Sequence, residues 1–219
     1  MGAGGYPVNL DLTGRPVLVV GGGRVASRKV AGLLGAGAVV SVVSPRAVAE
    51  IVDDPDVRWY NREYQRGEVA SYRLAIAASD DPQVNALVAV DGERSGVFVN
   101  SADDPANCSF TLPAVARSGD VQVAVSTSGR SPALARWLRR RFERELRSGY
   151  DQLLDLLAEV RAEARQAFGT SEVDGWDAAL DDGLLDLVRT GQIETARADL
   201  RGRLGLMSVP SPALTEPAR

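Results

Sequence analysis

In the first half of the chain, short apolar blocks alternate with longer mixed stretches. The blocks Pro16–Val20, Val39–Val43, Leu74–Ala77 and Val97–Asn100 predict strands. Leu74–Ala77, within RLAIAASDD, is closed by polar turn residues, as expected of a buried parallel strand. Between the blocks, the pattern predicts a helix over about Val25–Leu34, a helical stretch near Ala47–Val52, an extended Val57–Tyr60 and a helix over Pro82–Gly92. This β-α-β rhythm predicts an α/β domain built on a Rossmann-like, doubly wound parallel sheet.

After Pro105 the pattern changes. Phe110–Leu112 and Val121–Ser126 read as strands joined through a helix-like PAVARSGD. Ser131 and Pro132 supply an N-cap and an N1 proline for a helix to about Arg147. Beyond Gly149 the stretches YDQLLDLLAEVRAEARQAF, WDAALDDGLLDLVRT and QIETARADLRGRL read as helices. Leu153, Leu157 and Val160 fall at helical spacing on one apolar face. The proline-rich SVPSPALTEPAR predicts a disordered tail. The expected layout is a Rossmann domain over 1–112, a small α+β segment over 113–147, an all-helical module over 148–207 and a tail over 208–219.

Composition narrows the setting. A chain of 219 residues holds one large domain or two small ones, and a net charge of −4 favours neither nucleic acid nor an anionic membrane. No apolar run approaches the roughly 20 residues that span a bilayer. The N-terminus lacks the basic and apolar regions of a secretory signal. Cys108 is the only cysteine, which leaves no intramolecular disulfide and no CxxC metal or redox pair. The expected compartment is the cytoplasm. The chain has no histidine, so imidazole ligands, Ser-His and Cys-His pairs and the usual near-neutral base are all missing. Acid–base chemistry falls to carboxylates, hydroxyls, Cys108, tyrosines or the single lysine, Lys29.

The run Gly21-Gly22-Gly23-Arg24-Val25-Ala26 fits G-x-G-x-x-[GA] between a predicted strand and a predicted helix. Gly21 suits the tight turn, Gly23 the approach of a pyrophosphate, and Ala26 close packing of helix on strand. The helix N-terminus adds N–H groups for phosphate. At the end of the second strand, where an Asp or Glu usually holds the ribose, stand Ser44, Pro45 and Arg46. Ser44 can bond a ribose hydroxyl and Arg46 can pair with a 2′-phosphate. Alternatively the three residues only turn the chain, and the residues alone leave NAD and NADP open.

Three further stretches lie at predicted strand ends or before a helix. They are AASDD (Ala77–Asp81), VNSADDPANCSF (Val99–Phe110, with Asn100 and Asp103) and AVSTSGRSP (Ala124–Pro132, with Thr127, Ser128 and Arg130). Each has a plain alternative, an Asx turn for the aspartates and an N-capping loop for the hydroxyl run.

These stretches, in this order, resemble the precorrin-2 dehydrogenase/sirohydrochlorin ferrochelatase family, which includes the N-terminal part of siroheme synthase and free-standing relatives. The resemblance covers about residues 6–147, and its specific elements are GGGxVAxRK and SGxSPxLAR. It implies NAD-dependent oxidation of precorrin-2 to sirohydrochlorin and, in many members, insertion of Fe²⁺ as a substrate to give siroheme; a chain with no histidine and no cysteine cluster is expected to hold no tight iron site of its own. It implies NAD binding at Arg24, Val25, Pro45 and Arg46, beside Gly21, Gly23 and Ser44 read from the motif and the strand end, a catalytic role for Asp103, the family's loop hydroxyl at Thr127, and homodimerisation through about Pro113–Arg147. No methyltransferase domain follows, so methylation of uroporphyrinogen is expected to need another protein. Precorrin-2 carries eight carboxylates, for which Arg15, Arg130 or the Ser128–Arg130 loop offers complementary charge; Asn100, at a strand end, is a separate candidate for binding the substrate. The competing expectations are a dehydrogenase without chelatase activity, another NAD(P) oxidoreductase, and a non-catalytic NAD-sensing module.

Overall fold

The structure is a computed structural model that describes residues 5–102 and 104–207. Asp103 and the expected tail, 208–219, lie outside the described residues. The chain divides into two compact units, Met1–Leu112 and Pro113–Arg219.

The first unit is built on β1 (Pro16–Val20), β2 (Val39–Val43), β3 (Val57–Tyr60), β4 (Leu74–Ala77) and β5 (Phe98–Ser101), all parallel in the order β3-β2-β1-β4-β5. α1 (Arg24–Leu34), the single turn α2 (Ala49–Val52) and α3 (Pro82–Ser95) connect them. Alternation along the strands divides the core between the two faces of the sheet. Val17 and Val19 of β1 pack with Ala26 and Val30 of α1, whereas Leu18 and Val20 pack with Val88 of α3. β1 and β4, flanked on both sides, are buried almost throughout, which is why their sequences read as unbroken apolar runs. The order reverses between β1 and β4, and ligands of such sheets enter at the carboxyl edge beside that point.

In the second unit one expectation is corrected. PAVARSGD is no helix: β6 (Ala114–Ser118) pairs antiparallel with β7 (Val121–Val125), Ser118 opposite Val121, around the two-residue turn Gly119-Asp120. A Gly-Asp pair between apolar runs is a hairpin signal, and it outweighs the local helix propensity of alanine and arginine. Phe110–Leu112 forms no strand; Phe110 packs instead against the core of the first unit. α4 (Pro132–Leu146) lies on the hairpin, with the Ser131 hydroxyl accepting the Leu134 N–H at 3.2 Å as its cap.

The helices α5 (Tyr150–Phe168), α6 (Trp176–Asp181), α7 (Leu184–Arg189) and α8 (Ile193–Arg203) enclose a core of Leu156, Val160, Leu184, Val188 and Leu200. WDAALDDGLLDLVRT therefore makes two helices, broken at Gly183, whose φ of 93° no α-helix accommodates. Buried Glu163 on α5 pairs with Arg201 on α8.

Candidate functional site

At the carboxyl edge of the parallel sheet, β1 runs into a turn that its three glycines serve in different ways. Gly21 has φ 119°, and a Cβ there would stand 2.3 Å from the carbonyl oxygen of Ala78, just past β4. Gly22 is pressed against the segment after β2: a Cβ on it would lie 2.1 Å from the carbonyl oxygen of Arg46. Gly23 is different. Its backbone is extended, and a Cβ would meet nothing within 4 Å. The tight packing thus falls on Gly21 and Gly22, and the open approach on Gly23.

α1 begins at Arg24 without a side-chain cap and without an acid in its first turn. The first N–H groups of a helix have no intrahelical acceptors and carry its positive dipole end. In an 11-residue helix fronted by an open glycine, this is a fitting cradle for a pyrophosphate. The residues present therefore fit a dinucleotide. Ala26 is wholly buried, as close packing of α1 on β1 requires.

Beyond β2 the side chains divide. The Ser44 hydroxyl donates to the Arg46 carbonyl at 2.5 Å, and the Trp59 indole N–H donates to the Ser44 carbonyl at 3.1 Å. The Val48 N–H donates to the Gly22 carbonyl at 2.9 Å, tying this segment to the glycine turn. Ser44 is buried and turns the chain, whereas Pro45 and Arg46 are exposed beside Gly22.

The next strand end is held by a residue that the sequence reading passed over. Asn85, buried on α3, accepts the Ser79 N–H at 3.0 Å and donates to the Ser79 carbonyl at 2.9 Å. It fixes the backbone against which Gly21 packs. Its only advance signal was an amide in the second turn of a helix that opens on Asp81-Pro82. Asp81 itself caps α3, accepting the Gln83 N–H at 2.8 Å.

After β5 the chain is tied back to the sheet by side chains. The Ser109 hydroxyl accepts the Val99 N–H at 2.7 Å and donates to the Val99 carbonyl at 3.1 Å. The Cys108 thiol accepts the Ser101 N–H at 3.2 Å, and it lies within 3.2 Å of the Ser101 and Asp104 carbonyls as their donor. Asp104 accepts the Asn107 amide at 2.6 Å and shapes the turn. The Ser101 hydroxyl is buried and has no hydrogen-bond partner among the described residues. Asn100, expected beside the substrate, instead turns inward and donates to the Phe110 carbonyl at 3.0 Å. Arg15 precedes β1 and so lies at the amino edge of the sheet, away from the glycine turn by the length of a five-residue strand, roughly 16 Å at about 3.3 Å per residue. It is therefore set aside as a partner for a ligand at the carboxyl edge.

In the second unit, the hydroxyl loop before α4 largely bonds itself. Thr127 Oγ1 accepts the Ser131 N–H and Ser126 Oγ accepts the Ser128 N–H, both at 3.2 Å. Ser128, at φ 51°, is the only residue other than glycine with positive φ among the described residues. Backbone of this kind concentrates at functional loops. Ser128 and Arg130 are exposed.

Residues 8–114 match a family described as NAD(P)-binding, and residues 118–145 match the sirohaem biosynthesis protein central family. The chain is 40% identical over 195 residues to siroheme synthase of Methylococcus capsulatus, covering 87% of this chain and 41% of that protein. It is 42% identical over 163 residues to siroheme synthase of Azotobacter vinelandii, covering 73% and 35% respectively. The chain thus spans less than half the length of the curated relatives it matches. Among solved structures, SirC, precorrin-2 dehydrogenase, superposes with a TM-score of 0.68 at 26% identity, over 90% of this chain and 99% of that one.

Proposed function

The chain belongs to the siroheme-biosynthesis family formed by the N-terminal part of siroheme synthase and its free-standing relatives, and on that premise we propose that it oxidises precorrin-2 to sirohydrochlorin. The observation that carries this reading is the uncapped start of α1 behind an open Gly23, at the switch point of a β3-β2-β1-β4-β5 sheet. NAD bound there supplies the hydride acceptor. Gly23 and the N–H groups of Arg24 and Val25 hold its phosphates, and Pro45 and Arg46 border its ribose.

Asp103, two residues beyond β5 in sequence, is the proposed catalytic residue: its carboxylate takes up the proton as the macrocycle loses a hydride. Thr127, Ser128 and Arg130 are the proposed contacts for the substrate's carboxylates, since an exposed guanidinium and hydroxyls suit anionic groups. Insertion of Fe²⁺, entering as a substrate, extends the same proposal, because it too removes protons from the bound macrocycle. The protein acts as a cytoplasmic homodimer on this reading. Leu134 and Trp137 of α4 leave nearly half of their surface exposed, at 47% and 49%, in the segment through which family members associate. Anaerobic incubation with precorrin-2 and NAD, followed by absorbance with and without Fe²⁺, tests both reactions. No change in the tetrapyrrole spectrum in either case defeats the proposal.

A further inference from the structure

We propose that the end of the cofactor site beyond β2 accepts a 2′-phosphate, so that NADP binds within about tenfold of NAD, and that Arg46 is the residue responsible. This rests on the reading that the glycine turn holds a dinucleotide. Sites of this type reject NADP with a carboxylate at the end of β2, which bonds the ribose hydroxyls and repels the phosphate. Here Val43 is followed by Ser44, Pro45 and Arg46, and the next acid along the chain is Glu50.

Four contacts fix the Arg46 backbone beside the turn. The Ser44 hydroxyl donates to the Arg46 carbonyl at 2.5 Å, and the Trp59 indole holds the Ser44 carbonyl at 3.1 Å. The Val48 N–H bonds the Gly22 carbonyl at 2.9 Å, and the Arg46 carbonyl packs on Gly22 closely enough to leave no space for a methyl group. Arg46 is therefore placed by the same segment that closes the pyrophosphate turn. Its side chain is exposed and forms no ion pair among the described residues, whereas Arg62, beyond β3, is committed to Glu68 at 2.6 Å. A planar guanidinium with its donors uncommitted matches a phosphate monoester, and the ordinary repelling charge is missing. The Ser44 hydroxyl spends its one O–H on a hydrogen bond to the Arg46 backbone carbonyl, so toward a ligand it offers acceptor capacity only. The charge at this end of the site therefore belongs to Arg46.

Intrinsic-fluorescence titrations of the full chain with NAD and with NADP test this without turnover, for the wild type, Arg46→Ala and Arg46→Asp. The expected result is wild-type dissociation constants within tenfold of each other. Arg46→Ala should weaken NADP at least tenfold more than it weakens NAD, and Arg46→Asp should widen that gap further. Raising the ionic strength should weaken NADP more than NAD in the wild type only, since an exposed charge pair is screened by salt. NADP binding more than tenfold weaker than NAD in the wild type, or an Arg46→Ala loss shared equally by the two, overturns the inference and leaves the dinucleotide reading standing. No saturable binding of either cofactor to the wild type overturns that reading, and this inference with it.

Discussion

The α-carbon of Gly22 lies against the carbonyl of Arg46 so closely that a methyl group on Gly22 would stand 2.1 Å from that oxygen. Gly23, the next residue, has open space where its own side chain would be. Neighbouring glycines in one turn thus differ in their demands, the first set by the fold and the second, on the proposed function, by a ligand. Gly22→Ala should lower stability, by about 1–3 kcal/mol as for other overpacked sites. Gly23→Asp should melt like the wild type yet lose dinucleotide binding, because a carboxylate would occupy the phosphate approach. Thermal melts beside a cofactor titration separate the two; a destabilised Gly23→Asp protein would contradict this division.

Asp103 and Asp104 provide a paired test. Asp104 is engaged in its own turn through Asn107 and Cys108, so Asp104→Ala should act mainly on stability. Asp103→Ala should lower precorrin-2 oxidation by about 10²–10⁴-fold, the usual loss with a general base. Its NAD affinity should stay near that of the wild type. If the Asp104 variant is the inactive one, the assignment is wrong.

The Cys108 thiol satisfies the Ser101 N–H and sits against the Ser101 and Asp104 carbonyls, tying the segment after β5 back to the strand end. Cys108→Ala removes that acceptor and should cost about 1–3 kcal/mol, the usual range for a partly buried group left unpaired. Cys108→Ser restores a donor and an acceptor and should recover part of the loss. Equal denaturation midpoints for all three proteins would show the thiol to be idle.

Trp137 is half exposed, with the Arg141 guanidinium 5.8 Å from its ring centre, and Leu134 stands beside it one turn back. In a homodimer through α4 and the hairpin, Trp137→Asp should shift the protein to monomer at micromolar concentration, because buried tryptophans dominate interface energies. Sedimentation velocity reads this directly. A wild type that is already monomeric under those conditions removes the dimer.

Tyr64 gives a pH signature. Its phenol is raised well above its ordinary value, first by burial and then by its hydrogen bond to Asp91, which is 3.0 Å away and itself buried. The folded state therefore keeps a proton that the unfolded chain releases near pH 10. This stabilisation is intact below pH 10 and is lost as pH rises beyond it. Tyr64→Phe should flatten the alkaline limb of a stability-versus-pH curve while leaving the neutral limb parallel to the wild type. An unchanged alkaline slope would remove Tyr64 as the cause.

The parallel sheet was legible in the sequence because β1, β2 and β4 are apolar blocks buried on both faces, with turn residues at each end. The glycine turn was legible for the same reason, since its spacing follows from strand, turn and helix. PAVARSGD misled because its alanines and arginines favour helix, while its pairing depends on Val121–Val125 across the turn. Asn85 and Gly22 escaped because their partners, Ser79 and Arg46, are distant in sequence or fixed by another strand. Arg15 was attractive as charge alone, and only the strand direction shows which edge it occupies. The backbone carbonyls that the Ser44 hydroxyl and the Asn100 amide serve, those of Arg46 and Phe110, have no signal in the sequence.

The hydrogen bond from Trp59 to the Ser44 carbonyl has an optical consequence. The chain has three tryptophans; Trp137 and Trp176 lie in the second unit, and Trp59 is bonded to the segment after β2 that is proposed to border the cofactor's ribose. Indole emission responds to the polarity around its N–H and is quenched by energy transfer to a reduced nicotinamide. With the other two replaced by phenylalanine, the protein becomes its own gauge of cofactor arrival and of the cofactor's redox state, read from a ring that takes no part in the chemistry.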